Sequence, residues 1–371
     1  MMLSLLAAAV VCQGPQQPSA MQMWIKEPDN KPPRLCVLIG LAPMEISKLS
    51  PKLFDDPPTR WQFDYACSSF GPDINAPVDP KTGEKQSRVR FRVFNQLNSP
   101  VTMLTARQGI RMWDILTSRY RIGHPEGINS GIVDYYLCYG GKAGGEQLRG
   151  EEIVNNRPVT VNTIYIYDIK SFTKPIEMAR EVAHEYGHAV LPAVGGYNFP
   201  EYWANGYLGE KFLMRQIRDQ FNRNLFGPDD AMGATKTQVD LWVKQNVDPL
   251  VIQTSARPPS QVMLGDKGNV GMDAYIGLVL YADTIFPPSV VTRSMQLMGS
   301  QDARDYPEAL LRATQELPNI TLSIPDYLKD KPLWIPIGAG KIKQALVLKR
   351  SGDWVQIQPQ AGAVVLTTAR G

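Results

Sequence analysis

His184 and His188 stand four residues apart in the stretch REVAHEYGHAV, with Glu185 between them. On an α-helix that spacing projects both imidazoles from one face, close enough to share one cation, and sets a carboxylate beside it. Neutral imidazole suits Zn²⁺, and a catalytic zinc takes three protein ligands and keeps a fourth position for water. Glu185 is then the general base toward a water attacking a carbonyl carbon. A third ligand is required. The only other histidine, His124, lies in RIGHPEG, a Gly/Pro-bracketed loop where a surface position is expected, so a carboxylate from a following helix is the better candidate. The segment FPEYWANGYLGEKF offers Glu201 and Glu210.

The helix carrying the pair is expected over 174–191. Thr173 can cap its start, Pro175 is tolerated in a first turn, and Pro192 with Gly195 and Gly196 marks its stop. Ile176, Ala179, Val182 and Ala183 give it an apolar stripe. Upstream, apolar runs at 35–41 and 61–67 and the alternation of Val89, Phe91 and Val93 predict strands, with the arginines of 88–92 on a solvated face. Residues 101–120 switch to a helical period through Leu104, Ile110, Trp113 and Leu116. Strands are expected near 131–138 and at 163–168, separated by the glycine-rich stretch from Gly140 to Gly150. Downstream the pattern is helical at 201–224, 236–246, 272–285, 288–298 and 305–316, and from Leu333 it returns to short β runs.

HEYGH followed by a helix bearing a glutamate resembles the gluzincin zinc metallopeptidases, in the peptidase MA-like branch, over residues 86–330. Beside the histidine motif, the resemblance takes in the strand Thr163–Asp168, the Pro200, Trp203 and Gly206 segment, and the later DAYIGLVLYADTIF followed by PPSVVTRSMQLM. It implies an α+β zincin-like core holding one Zn²⁺, with His184 and His188 as ligands and Glu185 as base. Glu210 would be the third ligand, because YLGEKF resembles the corresponding segment of aminopeptidase relatives, and Glu201 would be a solvated acid at the helix start. Tyr275 stands where those relatives keep an oxyanion-stabilising tyrosine, with Tyr281 its rival and core packing the alternative role for both. Thr163–Asp168 would be an exposed edge along which an extended peptide adds as a strand. This chain departs from the pattern at Asn205-Gly206, where relatives have Glu-Gly. Either the ligand has moved to Glu210, or it is lost and Glu210 lies outside the metal's direct contacts.

Apolar residues at 43% and charged residues at 20%, with 30 glycines and 30 prolines, exclude a wholly disordered chain, a collagen-like fibre and a polytopic membrane protein. A net charge of +3 is too small for the broad basic face of a nucleic-acid binder. The apolar stretch Leu3–Val11 is too short to span a bilayer but suits a signal peptide, expected over 1–20, which implies a secreted or periplasmic protein. Val11 before Cys12 is bulkier than a lipoprotein site wants. The expected organisation continues with a flexible linker over 21–33, a β-rich region over 34–85, the catalytic domain over 86–330 and a β extension over 331–371. Three functions fit: a secreted zinc peptidase, a catalytically degraded relative acting as a binding module, and a non-peptide amide or ester hydrolase on the same scaffold.

Overall fold

The computed structural model describes residues 21–27, 33–45, 60–70, 89–95, 100–124, 128–154, 157–338 and 340–368. The candidate signal segment lies outside them. The protein is of the mixed α+β class, and its described chain divides into two compact units. The first comprises the chain up to Ile115, Gly123–Val190 and Gln216–Val239; the second comprises Leu116–Ile122, Leu191–Arg215 and the chain from Asp240.

The first unit is built on a seven-stranded sheet in the order β1-β2-β3-β4-β5-β7-β6. Its strands are β1 (Met21–Trp24), β2 (Leu35–Glu45), β3 (Arg60–Phe70), β4 (Val89–Asn95), β5 (Ile128–Leu137), β6 (Gly144–Val154) and β7 (Arg157–Tyr167). Pairing is antiparallel from β1 to β4, parallel for β4 with β5 and β5 with β7, and antiparallel for β7 with β6. The supposed linker is therefore partly a strand: Met21–Trp24 pairs with β2, and Ile25 is buried, its N–H bonded to Leu35 O at 2.9 Å. An apolar MQMWI run is enough to join a sheet despite its polar neighbours. Nor do the described residues of the expected β-rich region over 34–85 form a separate sheet, because β2 and β3 continue the sheet of β4 to β7. The arginines of β4 are not on a solvated face. Arg92 forms a two-pronged ion pair with Asp134 on the adjacent β5, its Nε donating to Oδ1 at 2.6 Å, and Arg90 lies over the Trp113 ring.

Helices α1 (Pro100–Ile115) and α2 (Pro175–Val190) belong to the same unit. Gly109 of α1 lets the helix close on Phe91 of β4, whose ring carbons stand 3.1 Å from where a Cβ would be. Asp230 is buried between Arg107 and Arg111 of α1, at 2.9 and 3.0 Å, which compensates its charge.

In the second unit, α3 (Asn205–Asn222) contributes its first half, followed by the rest of α4 (Lys236–Asn246), then α5 (Asp248–Ala256), α6 (Gln261–Leu264), α7 (Asn269–Ile285), α8 (Pro288–Leu297) and α9 (Tyr306–Gln315). From Tyr275 to Ile285, α7 is buried on all sides, which suits its unbroken apolar sequence. Its one buried acid, Asp283, accepts from Tyr120 and pairs with Arg215. Two three-stranded antiparallel sheets close the chain. One is ordered β10 (Lys341–Lys343), β13 (Ala363–Thr367) and β8 (Asn319–Ser323); the other is ordered β11 (Ala345–Ser351), β12 (Trp354–Pro359) and β9 (Leu333–Pro336). The β extension thus starts earlier than residue 331, since β13 pairs with β8.

Candidate metal centre

The sequence of α2 sets both its start and its face. Pro175 opens the helix, and Glu177 turns back to accept the Lys174 N–H at 3.2 Å, satisfying a donor that the first turn would leave orphaned. Met178, Ala179, Val182, Ala183, Tyr186 and Ala189 are all buried, so the helix presents one face to the unit's interior. Its rotation is fixed by more than apolar packing. Three buried side chains donate to its backbone carbonyls: Gln108 of α1 to Ala179 O at 2.8 Å, Tyr135 of β5 to Val182 O at 3.1 Å, and Asn162 of β7 to Ala189 O at 3.4 Å. The first two use the second lone pair of a helical carbonyl and the third an orphan carbonyl of the last turn, so all three register the helix against the sheet and α1 without breaking the helical ladder.

With α2 so held, the Nε2 atoms of His184 and His188 lie 3.2 Å apart, their rings inclined at 68°. Two ligands about 2.0–2.1 Å from one tetrahedral cation are roughly 3.3 Å apart, so the pair is spaced for a shared ion. Glu185 is buried, with Oε1 4.0 Å from His184 Nε2. Strand β6 passes directly over it. A Cβ on Gly145 would come within 2.5 Å of the Glu185 Cγ and Cδ, so glycine is required there for the strand to approach the carboxylate.

Within the first unit, His184 and His188 thus offer two adjacent nitrogen donors on one helix face. Glu210, the expected third ligand, belongs to the second unit, as does Glu201. Glu210 is buried at the sixth position of α3, about 8 Å along the helix axis from Asn205, whereas Glu201 precedes the helix. Glu201 is not a first-turn acid: α3 begins only at Asn205, and the Glu201 carboxylate accepts the Trp203 N–H at 3.3 Å. The loop bearing it is tied by a bridge between Gly195 and Trp203 and by Ala204 N–H donating to Val194 O at 2.7 Å. Asn205 is buried, its Nδ2 3.5 Å from Leu191 O.

Three further expectations change. His124 is not a surface residue: Nδ1 donates to Gly131 O and Nε2 accepts from the Tyr186 hydroxyl at 2.9 Å, while Phe91 meets the ring edge-on. Both ring nitrogens are occupied, and burial lowers its pKa to about 4, so the ring is a neutral prop beneath α2. Tyr275 is fully enclosed, edge-on to Tyr306 at 5.6 Å, and its hydroxyl has no partner among the described residues. It occupies a packing position, and burial raises its pKa well above the usual tyrosine value. Tyr281 donates to Trp334 O at 2.8 Å and is equally committed. Finally, Thr163–Asp168 is not an edge: it falls in β7, paired on both sides, with Asp168 past the strand end, and among the described residues the sheet's edges are β1 and β6.

The residues that sequence reasoning missed are those acting on α2 from outside, namely Gln108, Tyr135, Asn162 and Gly145. Only Gly145 carried a signal, as part of a glycine-rich stretch; the others are ordinary polar residues whose partners lie between 27 and 71 positions away.

No protein-family model matches the chain, and no curated protein is significantly similar to it.

Proposed function

We propose that this protein is a zinc-dependent peptide-bond hydrolase of the gluzincin type, with His184 and His188 as ligands and Glu185 as general base. The observation carrying the proposal is the 3.2 Å approach of two imidazole nitrogens on one helix face, with a buried carboxylate between them in sequence. Such a pair supplies two of the three protein ligands of a catalytic zinc with an open position. When bound, such an ion supplies Lewis-acid polarisation and an acidified water. The chain's own contributions are a Glu185 carboxylate to accept a proton, a helix registered by three side-chain hydrogen bonds, and the backbone of β6 beside that carboxylate. Because β6 is bonded on one side only among the described residues, an extended peptide is proposed to add along its open edge and not along β7. The apolar segment Leu3–Val11 supports an extracytoplasmic location.

Metal content after dialysis, together with peptide-library cleavage with and without chelator, tests the proposal. Glu185→Gln is expected to retain zinc while turnover falls by about 10²- to 10⁴-fold. Unchanged turnover would remove Glu185 from its role. A second reading, a metal-stabilised binding protein, is favoured by buried Asn205 in place of a glutamate and by the enclosed hydroxyl of Tyr275. Stoichiometric zinc without chelator-sensitive cleavage selects that reading.

A further inference from the structure

Strand β11 adds nothing to the core of its sheet. Across the ladder, Val355 and Ile357 of β12 are buried, yet every residue of β11 after Ala345 is exposed. Leu346, Val347 and Leu348 are 55%, 47% and 50% exposed, the one run of three consecutive exposed large apolar side chains among the described residues. Single exposed aliphatic residues are ordinary; a contiguous run on an edge strand marks a surface that is covered in use. Basic residues flank the run, with Lys341 and Lys343 before it and Lys349 and Arg350 after it. All four are exposed, and none forms an ion pair with a described residue; Arg350 donates instead to the main-chain oxygen of Gly338 at 3.2 Å. From residue 331 to the end the sequence holds six basic residues against the one acid Asp353, an excess of five where the whole chain's excess is three. The positive charge of the protein is thus concentrated around its most exposed apolar strand.

Charge and backbone together select what covers it. Antiparallel pairing of β11 with a second copy of itself would set basic side chains against basic side chains. Addition of a foreign strand is opposed by the register shift between Val347 and Lys349, which leaves Leu348 outside the ladder, and by the cations beside it, the devices by which edge strands resist pairing. A surface that accepts aliphatic side chains without a matched ladder, and is negative where the cations lie, is an anionic lipid bilayer. We propose that β11 is a peripheral membrane anchor: Leu346, Val347 and Leu348 enter the bilayer interface, while Lys343, Lys349 and Arg350 reach its headgroups on their flexible stems. The inference does not rest on the hydrolase reading, since the whole surface belongs to the second unit and the histidine pair to the first.

Co-sedimentation of the full chain with vesicles of phosphatidylcholine, alone or mixed with phosphatidylglycerol, tests the proposal. The protein is expected to bind the anionic vesicles at least about tenfold more tightly than the neutral ones, and to lose that preference in high salt. Leu346→Thr, Val347→Thr and Leu348→Thr together keep the β preference of the strand and should weaken binding to anionic vesicles by about tenfold or more. Leu346→Phe, Val347→Phe and Leu348→Phe together should bind at least as tightly as wild type, which separates lost insertion from a misfolded strand. Lys343→Gln, Lys349→Gln and Arg350→Gln together should cost about a hundredfold on anionic vesicles and leave the weak binding to neutral ones unchanged. Equal binding to both vesicle types, binding to neither, or undiminished binding by the threonine variant would overturn the proposal. Binding lost in the glutamine variant alone would replace it with a polyanion that takes up no apolar side chain, such as a nucleic acid. A dimer dispersed by the threonine substitutions, seen in sedimentation velocity without vesicle binding, would replace it with a second copy of this chain.

Discussion

Helix α2 and the loop from Leu191 to Ala204 are built in different ways. The helix is buried along one face and takes three side-chain hydrogen bonds from elsewhere in its unit. The loop is held by main-chain bonds, and its Phe199 and Tyr202 are 77% and 56% exposed. The two histidines are thus prepositioned by their own unit, where a loop of the second kind would leave its side chains to the solvent.

Removing a donor from the rigid helix should have the largest effect. His188→Ala is expected to lower zinc affinity by at least about a hundredfold, read by competition with a chromophoric chelator. An unchanged affinity would take the histidine pair out of metal binding.

The rigid side should also respond to acid. His124 has a folded-state pKa of about 4, below its ordinary 6.5, so the unfolded chain binds more protons between those values. Its contribution to stability is complete above pH 6.5 and is lost as pH falls toward 4, by at most roughly 3 kcal/mol. Urea denaturation across that window should show the decline, and His124→Gln should flatten it. A wild-type curve no steeper than that of His124→Gln would show that the prop does not depend on the neutral ring.

The smallest expected effect is at Tyr275. Its hydroxyl is buried without a partner among the described residues, so Tyr275→Phe should leave turnover unchanged and raise stability by up to about 1 kcal/mol in thermal melts. A large fall in turnover would return Tyr275 to the chemistry.

How much of this was legible in the sequence followed from the range of the interactions. The motif helix and the helix at 236–246 were readable because caps, prolines and a 3.6-residue period act within a few positions. The tail strands were readable from their alternation. Strand β6 was missed because GGEQLRGEEIV carries glycines and charges where a strand signal needs β-branched and aromatic residues; antiparallel pairing with β7 overrides that local preference. Glu201 was read as a helix-start acid because its loop is ordered by main-chain bridges, which leave no side-chain pattern. Gln108, Tyr135 and Asn162 were invisible as helix-setting residues because each acts on a main-chain oxygen, whose demand no sequence records.

Those three bonds carry one more consequence. A slip of α2 by a single residue would swing each imidazole through about 100° and strand three buried donors at once, so the helix cannot thread along its own axis. The empty and loaded forms should therefore share one backbone, unlike domains that fold only around their ion. Cations could be exchanged without refolding, and the occupant would be set by relative affinity and supply in the surrounding medium.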